Sequence, residues 1–337
     1  MNDSSQTKTY NLDDIAAELG LSKSTVSRAI SGKGRVSPST REKVLECIKV
    51  LNYHPNSIAK SLSESKTYNI GVVIPMDSDE TEAPFFQTCL KGISRECAMR
   101  DYDVVVIGTE KKDLSQLERV LNNRKVDGVI VTRPVKDHAI ETLIKEHNIP
   151  FVVVGQSGFK GAVTIDSAHK EACRELTSYL LMSNRPDKIG LLMYSMSFNV
   201  NKSRYEGFES AFEAIDTRPS ENMVYIGIDG TTQFSRAVAS LLKEQPDCII
   251  CGDDMICMKL LAEINGLGLK IPDNIKVASF YDSVFLDMYT PPITSLVFNA
   301  EELGAAAASV ILDIVNGAEV TGNIDLNFEM LIRRSTI

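Results

Sequence analysis

The sequence predicts an α/β protein: a small all-α helix-turn-helix domain, a short connecting helix, and a much larger two-lobed core built on parallel sheets. Three observations carry that expectation. Residues 11–51 place apolar side chains at helical spacing in three short runs. From Asn69 onward, short apolar runs alternate with stretches long enough for crossover helices. Charge is also divided unevenly: residues 1–70 carry a net +3 and residues 71–337 a net −12.

Residues 1–8 are polar and are expected as a flexible tail ahead of a domain over 9–53. Asn11 can cap a helix whose Leu12, Ile15, Ala16 and Leu19 share one face, and Gly20 suits the left-handed position that ends it. Ser22 can cap a second helix with Val26 and Ile30 inward and Lys23, Ser24, Ser27 and Arg28 outward. Two short helices joined by a tight glycine turn form a helix-turn-helix. Ser37-Pro38 opens a third helix, with Val44, Leu45, Ile48 and Leu51 as its expected buried stripe. Between Leu21 and Val36 stand Lys23, Arg28, Lys33 and Arg35 and no acid, so this stretch is the electrostatic candidate for nucleic acid.

Pro55–Leu62 reads as a helix of about two turns, too short to be stable alone in water, within a connector spanning 54–67. Expected strands are Ile70–Ile74, Val104–Ile107, Gly128–Val131, Phe151–Val154, Ile189–Tyr194, Cys248–Cys251, Val277–Phe280 and Ser295–Phe298. Roughly 270 residues is large for one sheet, so the core, 68–337, is expected as two lobes with a cleft between them. The expected N-lobe spans 68–166 and 292–327, and the C-lobe 167–291 and 328–337, with crossings near Asp166, Pro291 and Asn327. Ala305–Ala308, in a helix over Glu301–Val315, suit close packing and are assigned to a dimer contact.

No apolar run reaches the roughly 18–20 residues that span a bilayer, and residues 1–10 lack a signal-peptide apolar stretch, so a cytoplasmic protein without membrane contact is expected. Seven scattered cysteines fit reduced, buried thiols. Cys248 and Cys251, three apart on a strand, face opposite sides and cannot share one ion. No metal and no cofactor is expected.

Dense, ordered motifs extend over nearly the whole chain. Asp14-Ile15-Ala16, Gly20-Leu21-Ser22, Thr25-Val26-Ser27-Arg28, Val36-Ser37, Thr40 to Val44, Leu51-Asn52-Tyr53, Pro55-Asn56 and Ala59 to Leu62 resemble the DNA-binding head and hinge helix of the LacI/GalR family of bacterial repressors. Ile70 to Pro75, Pro84-Phe85-Phe86, Val126-Asp127-Gly128, Arg204 to Phe208, Gly252 to Met255, Tyr281-Asp282 and Pro292 to Ser295 resemble that family's periplasmic-binding-protein-like core.

The resemblance implies a regulator that binds a pseudo-palindromic double-stranded DNA operator as a homodimer, under control of a small-molecule effector. Its second helix would enter the major groove, with Lys23, Ser24 and Arg28 reading base edges and Thr25, Ser27, Ser37 and Thr40 on phosphates. The hinge would use Asn56, Ile58 and Ala59 for pairing and Leu62 as a minor-groove wedge. The implied effector residues are Arg204, with Asp282 as its acidic counterpart, then Asp253 and Asp166, each of which could equally cap a helix after a strand. Phe85 and Phe86 stand either as an apolar wall or as core.

Departures from the family pattern are the long acidic segment 77–83, Gly252 in place of a common Asn, and Asp229 where some relatives carry an aromatic platform. The carboxylate at Asp229 favours a polyol, sugar or sugar acid over a purine, whereas Gly252 removes one expected sugar contact and the long segment alters the N-lobe rim of the pocket. An effector acting as corepressor, or an activating regulator, fits the same resemblance. An exported solute-binding protein would have no use for residues 11–62. For a glycoside-acting enzyme only Asp253 and Asp282 could pair as carboxylates, with no nucleophile or phosphate-loop motif beside them. Leu62→Ala is expected to weaken operator affinity severely while ligand binding persists, checked by operator titration beside ligand calorimetry; unchanged DNA affinity would remove the wedge role.

Overall fold

The computed structural model describes residues 10–31, 34–51, 61, 64–76, 84–110, 113–134, 137–228 and 230–337. Asn56, Ile58, Ala59, Leu62, Asp229 and the segment 77–83 lie outside the described residues. The chain divides into two units, 1–66 and 67–337.

In the first unit, α1 (Leu12–Leu19) opens on Asn11, whose side chain accepts from the Asp13 and Asp14 N–H groups while Asp14 reaches back to the Asn11 N–H at 2.8 Å. This reciprocal capping box satisfies orphan donors at both ends of the turn. Gly20, at φ +63°, closes α1, and α2 (Lys23–Ser31) and α3 (Pro38–Val50) follow. Ile15, Ala16, Val26, Ala29 and Val44 are buried and form the head's own core. Leu45 corrects the expected stripe: it is 43% exposed, and Cys47 packs in its place beside the expected Val44, Ile48 and Leu51. With about 100° between successive residues, positions 44, 47, 48 and 51 share a face that 45 leaves.

The second unit holds two six-stranded sheets. The first has the order β11-β5-β4-β3-β1-β2 and is parallel throughout, from β1 (Asn69–Pro75), β2 (Asp103–Thr109), β3 (Gly128–Val131), β4 (Phe151–Val154), β5 (Val163–Ser167) and β11 (Asn323–Leu326). The second has the order β12-β10-β9-β8-β6-β7, from β6 (Ile189–Met193), β7 (Val224–Ile226), β8 (Cys248–Cys251), β9 (Lys276–Ser279), β10 (Thr294–Phe298) and β12 (Phe328–Leu331), with only β12 antiparallel. Each sheet is buried on both faces, which explains the continuous apolar runs at β3, β4 and β8. Cys248 and Cys251 pack into clusters on opposite faces of β8.

The lobes differ from expectation at one crossing. β10 hydrogen-bonds to β9 and β12 in the second sheet, so residues 294–298 belong to the C-lobe and the chain crosses after Phe298 rather than near Pro291. The other passages lie between β5 and β6 and between β11 and β12. β5, β7, β11 and β12 were not expected; β11 (Asn-Ile-Asp-Leu) and β12 (Phe-Glu-Met-Leu) mix polar and apolar residues, and only their partners decide them.

The last long helix, α12 (Ala300–Val315), crosses α4 (Pro84–Met99); Ala307 and Ala308 are buried in the N-lobe core, while Ala305 and Ala306 are partly exposed. A Cβ on Gly304 would stand 2.1 Å from the Cys89 carbonyl oxygen, and one on Gly92 would stand 1.9 Å from that of Glu301. Two glycines therefore let the helix backbones touch, with Lys91 and Arg95 pairing to Glu301 at the rim. Gly304→Ala is expected to cost about 1–3 kcal/mol by overpacking. The measurement is the urea midpoint, which should fall with an unchanged slope.

Candidate effector site and DNA-reading face

Parallel strands deliver their carboxyl ends to one side of a sheet, and ligands in such folds bind beyond those ends. Here both sheets contribute to one cavity of about 220 Å³ between the lobes. From the N-lobe, the residues after β3 bring Thr132, Arg133 and Pro134, those after β4 bring Gly155 and Gln156, and β5 brings Asp166. From the C-lobe come Tyr194 after β6, Asp253 and Asp254 after β8, and Tyr281 after β9. The helix following β6, α8 (Asn199–Glu213), supplies Asn201 and Arg204.

Arg204 is the buried cation of the site, 7% exposed. Its Nη1 donates to the Gly252 carbonyl oxygen at 2.7 Å, its guanidinium lies 5.8 Å from the Tyr281 ring, and its Nε has no protein partner. Three carboxylates stand around it. Asp166 is 4% exposed and burial raises its pKa to about 6, with Arg204 pulling the other way. Asp254 is 5% exposed, and burial followed by the neighbouring Asp253 charge raises it to about 6 as well; its Oδ2 has no partner. Asp253 caps α10 (Asp254–Gly266), accepting from the Ile256 N–H at 2.8 Å, and burial raises its pKa. Capping and cavity lining are thus combined in Asp253.

His169 lies against Asp166 at 3.8 Å, and burial, reinforced by Arg204, holds its pKa well below the ordinary value, so it is a neutral ring. Its Nδ1 is also unpartnered. Buried polar atoms without partners are costly, and three of them around one cavity mark where a ligand's donors and acceptors would be rewarded.

Asp282 departs from its expected place. Both of its oxygens accept from Arg333, at 2.7 and 3.0 Å, and Oδ1 accepts also from Ser295 Oγ at 2.7 Å. It does not line the cavity. The correction has a simple cause: Arg333, just past β12, is a closer and permanent cation, so the acid facing Arg204 comes from Asp166, Asp253 and Asp254. Phe85 and Phe86 line the cavity and also pack on the N-lobe core, with Phe85 edge-on to Tyr281 at 6.3 Å.

Sequence reasoning missed Asp254, His169, Asn201, Gln156 and Tyr194. Asp254 stands directly after Asp253 in a β-turn-helix junction, a visible signal; Gln156 and His169 carried none. Across the cleft, Asn199 Nδ2 donates to the Gln156 carbonyl at 2.8 Å and Arg133 lies 4.9 Å from the Phe198 ring, so the lobes touch at the cavity wall.

In the head, Lys23, Ser24, Ser27 and Arg28 are exposed on α2, as their spacing requires. Lys23 pairs with Asp13 at 2.8 Å. Arg28 runs along Gly34, whose Cβ would meet Arg28 Cδ at 3.2 Å. Ser22 links to Ser24 and Thr25 at 2.9 and 2.8 Å, and Ser37 caps α3 through the Thr40 N–H at 3.1 Å. The hydroxyls of Thr25, Ser37 and Thr40 thus collect at the starts of α2 and α3, where helix N-termini favour anions.

Residues 11–56 match the family described as bacterial regulatory proteins, lacI family, and residues 67–333 match the periplasmic binding proteins and sugar binding domain of the LacI family. The transcriptional regulator MalR of Staphylococcus xylosus is 30% identical over 335 residues, covering 97% of this chain and 96% of MalR. Catabolite control protein A of Staphylococcus epidermidis is 25% identical over 316 residues, 93% of this chain and 94% of that protein. Among solved structures, the Lac repressor dimer bound to operator and the anti-inducer ONPF superposes with a TM-score of 0.80 at 23% identity, covering 98% of this chain and all of the other. The chain belongs to the LacI family of bacterial regulatory proteins: it is a DNA-binding transcriptional regulator with a sugar-binding-type effector domain, and not an enzyme.

Proposed function

We propose that this chain is a cytoplasmic, homodimeric repressor whose affinity for a pseudo-palindromic operator is switched by a sugar or sugar-derived metabolite held between its lobes. The observation that carries the reading is Arg204 buried among Asp166, Asp253 and Asp254, beside a cavity walled by Phe85, Phe86 and Tyr281. Carboxylates only accept hydrogen bonds and a guanidinium only donates, so the ligand offers several hydroxyl donors together with an acceptor for Arg204. Aromatic walls suit the apolar face of a ring. A cavity of about 220 Å³ lies below the roughly 300–1,000 Å³ of drug-sized sites, which favours a single ring.

On DNA, Lys23, Ser24 and Arg28 read base edges, with Arg28 suited to guanine O6 and N7, and Thr25, Ser27, Ser37 and Thr40 hold phosphates. Lys23 gives up Asp13 to do so, an exposed pair that costs little to open. Asn56, Ile58, Ala59 and Leu62 form the hinge. The head's +3 is modest for one copy, which supports two heads acting together.

The test is a titration of operator, selected from random duplexes, at fixed salt against monosaccharides, disaccharides, sugar acids and sugar phosphates. At least one compound is expected to change operator affinity about fivefold or more, and a panel without effect overturns the reading. Arg204→Ala should leave ligand-free operator affinity within about twofold of the parent, since it is none of the residues assigned to DNA, while abolishing the response.

Effector affinity should also depend on pH. Hydrogen bonds from ligand hydroxyls require Asp166 and Asp254 ionised, and both stand at about 6, so binding is full above that value and weakens as pH falls through it. Calorimetry at pH 7.5 and 5.5 measures this, with an Asp254→Asn control that weakens the dependence and leaves the part due to Asp166; a pH-independent affinity would argue against direct carboxylate contacts.

A further inference from the structure

The core begins in a knot. Asp127, in the turn just before β3, accepts three hydrogen bonds from the core's first two residues: the Thr67 N–H at 2.7 Å, the Thr67 hydroxyl at 2.9 Å and the Tyr68 N–H at 2.8 Å. Tyr68 sits at φ +57°, in the left-handed region that a bulky side chain avoids. Such a conformation persists only where its surroundings over-determine it. They do so here. The Tyr68 carbonyl accepts from the Asp103 N–H at 2.8 Å, and its ring meets Tyr102 at 5.3 Å. The Asn69 N–H donates to Thr67 Oγ1 at 3.2 Å, and the Asn69 carbonyl accepts from the Asp127 N–H at 2.8 Å. Charge-assisted bonds to a carboxylate are about twice as strong as neutral ones, so Asp127 is the dominant member of this set.

Residue 67 is also where the chain coming from the DNA-reading head reaches the core. We propose that the Asp127 carboxylate is a positioning clamp: it fixes the direction in which the connector leaves the core, and thereby the half-site spacing that the regulator accepts on DNA. The clamp stands on strands that also reach the effector cavity. β1 and β3 pair in register from Ile70 opposite Gly128 to Val73 opposite Val131, and at the far end Thr132, in the cavity wall, donates through its N–H and its hydroxyl to the Val73 carbonyl at 3.2 and 2.7 Å. One strand pair thus has the connector at one end and the effector at the other.

The physical logic is one of effective concentration. Two heads tethered to one dimeric core bind a correctly spaced pair of half-sites far better than either alone, provided that the tethers leave the core in defined directions. Removing the carboxylate frees the Thr67 and Tyr68 N–H groups and lets Tyr68 return to an ordinary backbone conformation. The tether's direction is then lost, while the helix-turn-helix and the cavity keep their own contacts. The inference rests on the homodimer reading given above.

The experiment uses the full chain, with the operator selected by the parent protein and variants of it carrying one or two inserted base pairs between half-sites. The parent is expected to prefer the selected spacing strongly. In Asp127→Ala, affinity for the selected site should fall about tenfold and the preference over the lengthened sites should shrink to about twofold, with the salt slope unchanged because the phosphate contacts are the same. Thr67→Ala, which removes one of the three donors, should move both quantities in the same direction by less. If Asp127→Ala does not melt cooperatively, Asp127→Asn takes its place, since it keeps the volume and loses the charge. A variant that loses affinity equally at every spacing is merely destabilised and overturns the clamp, as does one that keeps the parent's preference. Sedimentation of the operator complex separates the two readings. A parent chain that binds single half-sites as a monomer overturns the homodimer and the clamp together, whereas a dimer whose Asp127→Ala variant retains the parent's spacing preference overturns the clamp alone.

Discussion

Parallel strand pairing is the constraint from which the rest of this molecule follows. Among the described residues, all strands but β12 share the direction of their sheet, so each sheet presents those carboxyl ends on one side. Two such sheets share one cavity; Asp166 stands in β5 and Asn201 and Arg204 on α8, while five of the cavity's polar side chains sit one or two residues beyond a strand: Thr132, Gln156, Tyr194, Asp253 and Tyr281. These positions are irregular backbone held by a rigid frame, which lets them carry chemistry without disturbing the ladders. The opposite ends of β1 and β3 do a different job, receiving the chain from the head and holding it through Asp127.

Electrostatics inside the cavity are set by desolvation more than by pairing. One guanidinium faces three carboxylates, and burial pushes Asp166 and Asp254 up to about 6 and holds His169 neutral. The cation that might have joined this set, Arg333, is used elsewhere: it ties Asp282, Ser295 and Asp287 together beside β10, fixing the end of the chain to the C-lobe. Tyr281 and Asp282 are adjacent in sequence, yet one faces the effector cavity and the other this structural network. Which role falls to which is decided by the cations that reach each side.

A second division runs between the two helices α4 and α12. Their glycines at 92 and 304 replace side-chain packing with backbone contact, so the N-lobe helices lie closer than leucine-lined helices could. The adjacent Ala307 and Ala308 fill the remaining space under the first sheet. Phe85 and Phe86, on the first turn of α4, are thereby carried to the cavity wall.

By itself the sequence determined the local and periodic features. Caps at Asn11, Ser22 and Ser37, the glycine turn at Gly20 and the exposed row Lys23, Ser24 and Arg28 depend on contacts within a few residues, and the strands β3, β4 and β8, though paired with distant partners, leave a continuous apolar run that marks burial on both faces. Arg204 and Asp253 stand in ordered motifs, and Asp166 was reachable only through the family resemblance. Only the tertiary structure decided the rest. Leu45 pointed outward because one step along a helix turns a side chain off the buried face; β11 and β12 became strands because a sheet edge was there to receive them; Asp282 left the effector site because Arg333, 51 residues away along the chain, lies within 3.0 Å of it. Partners brought together by long-range folding leave no periodic mark in a sequence, whereas caps, turns and buried strands do.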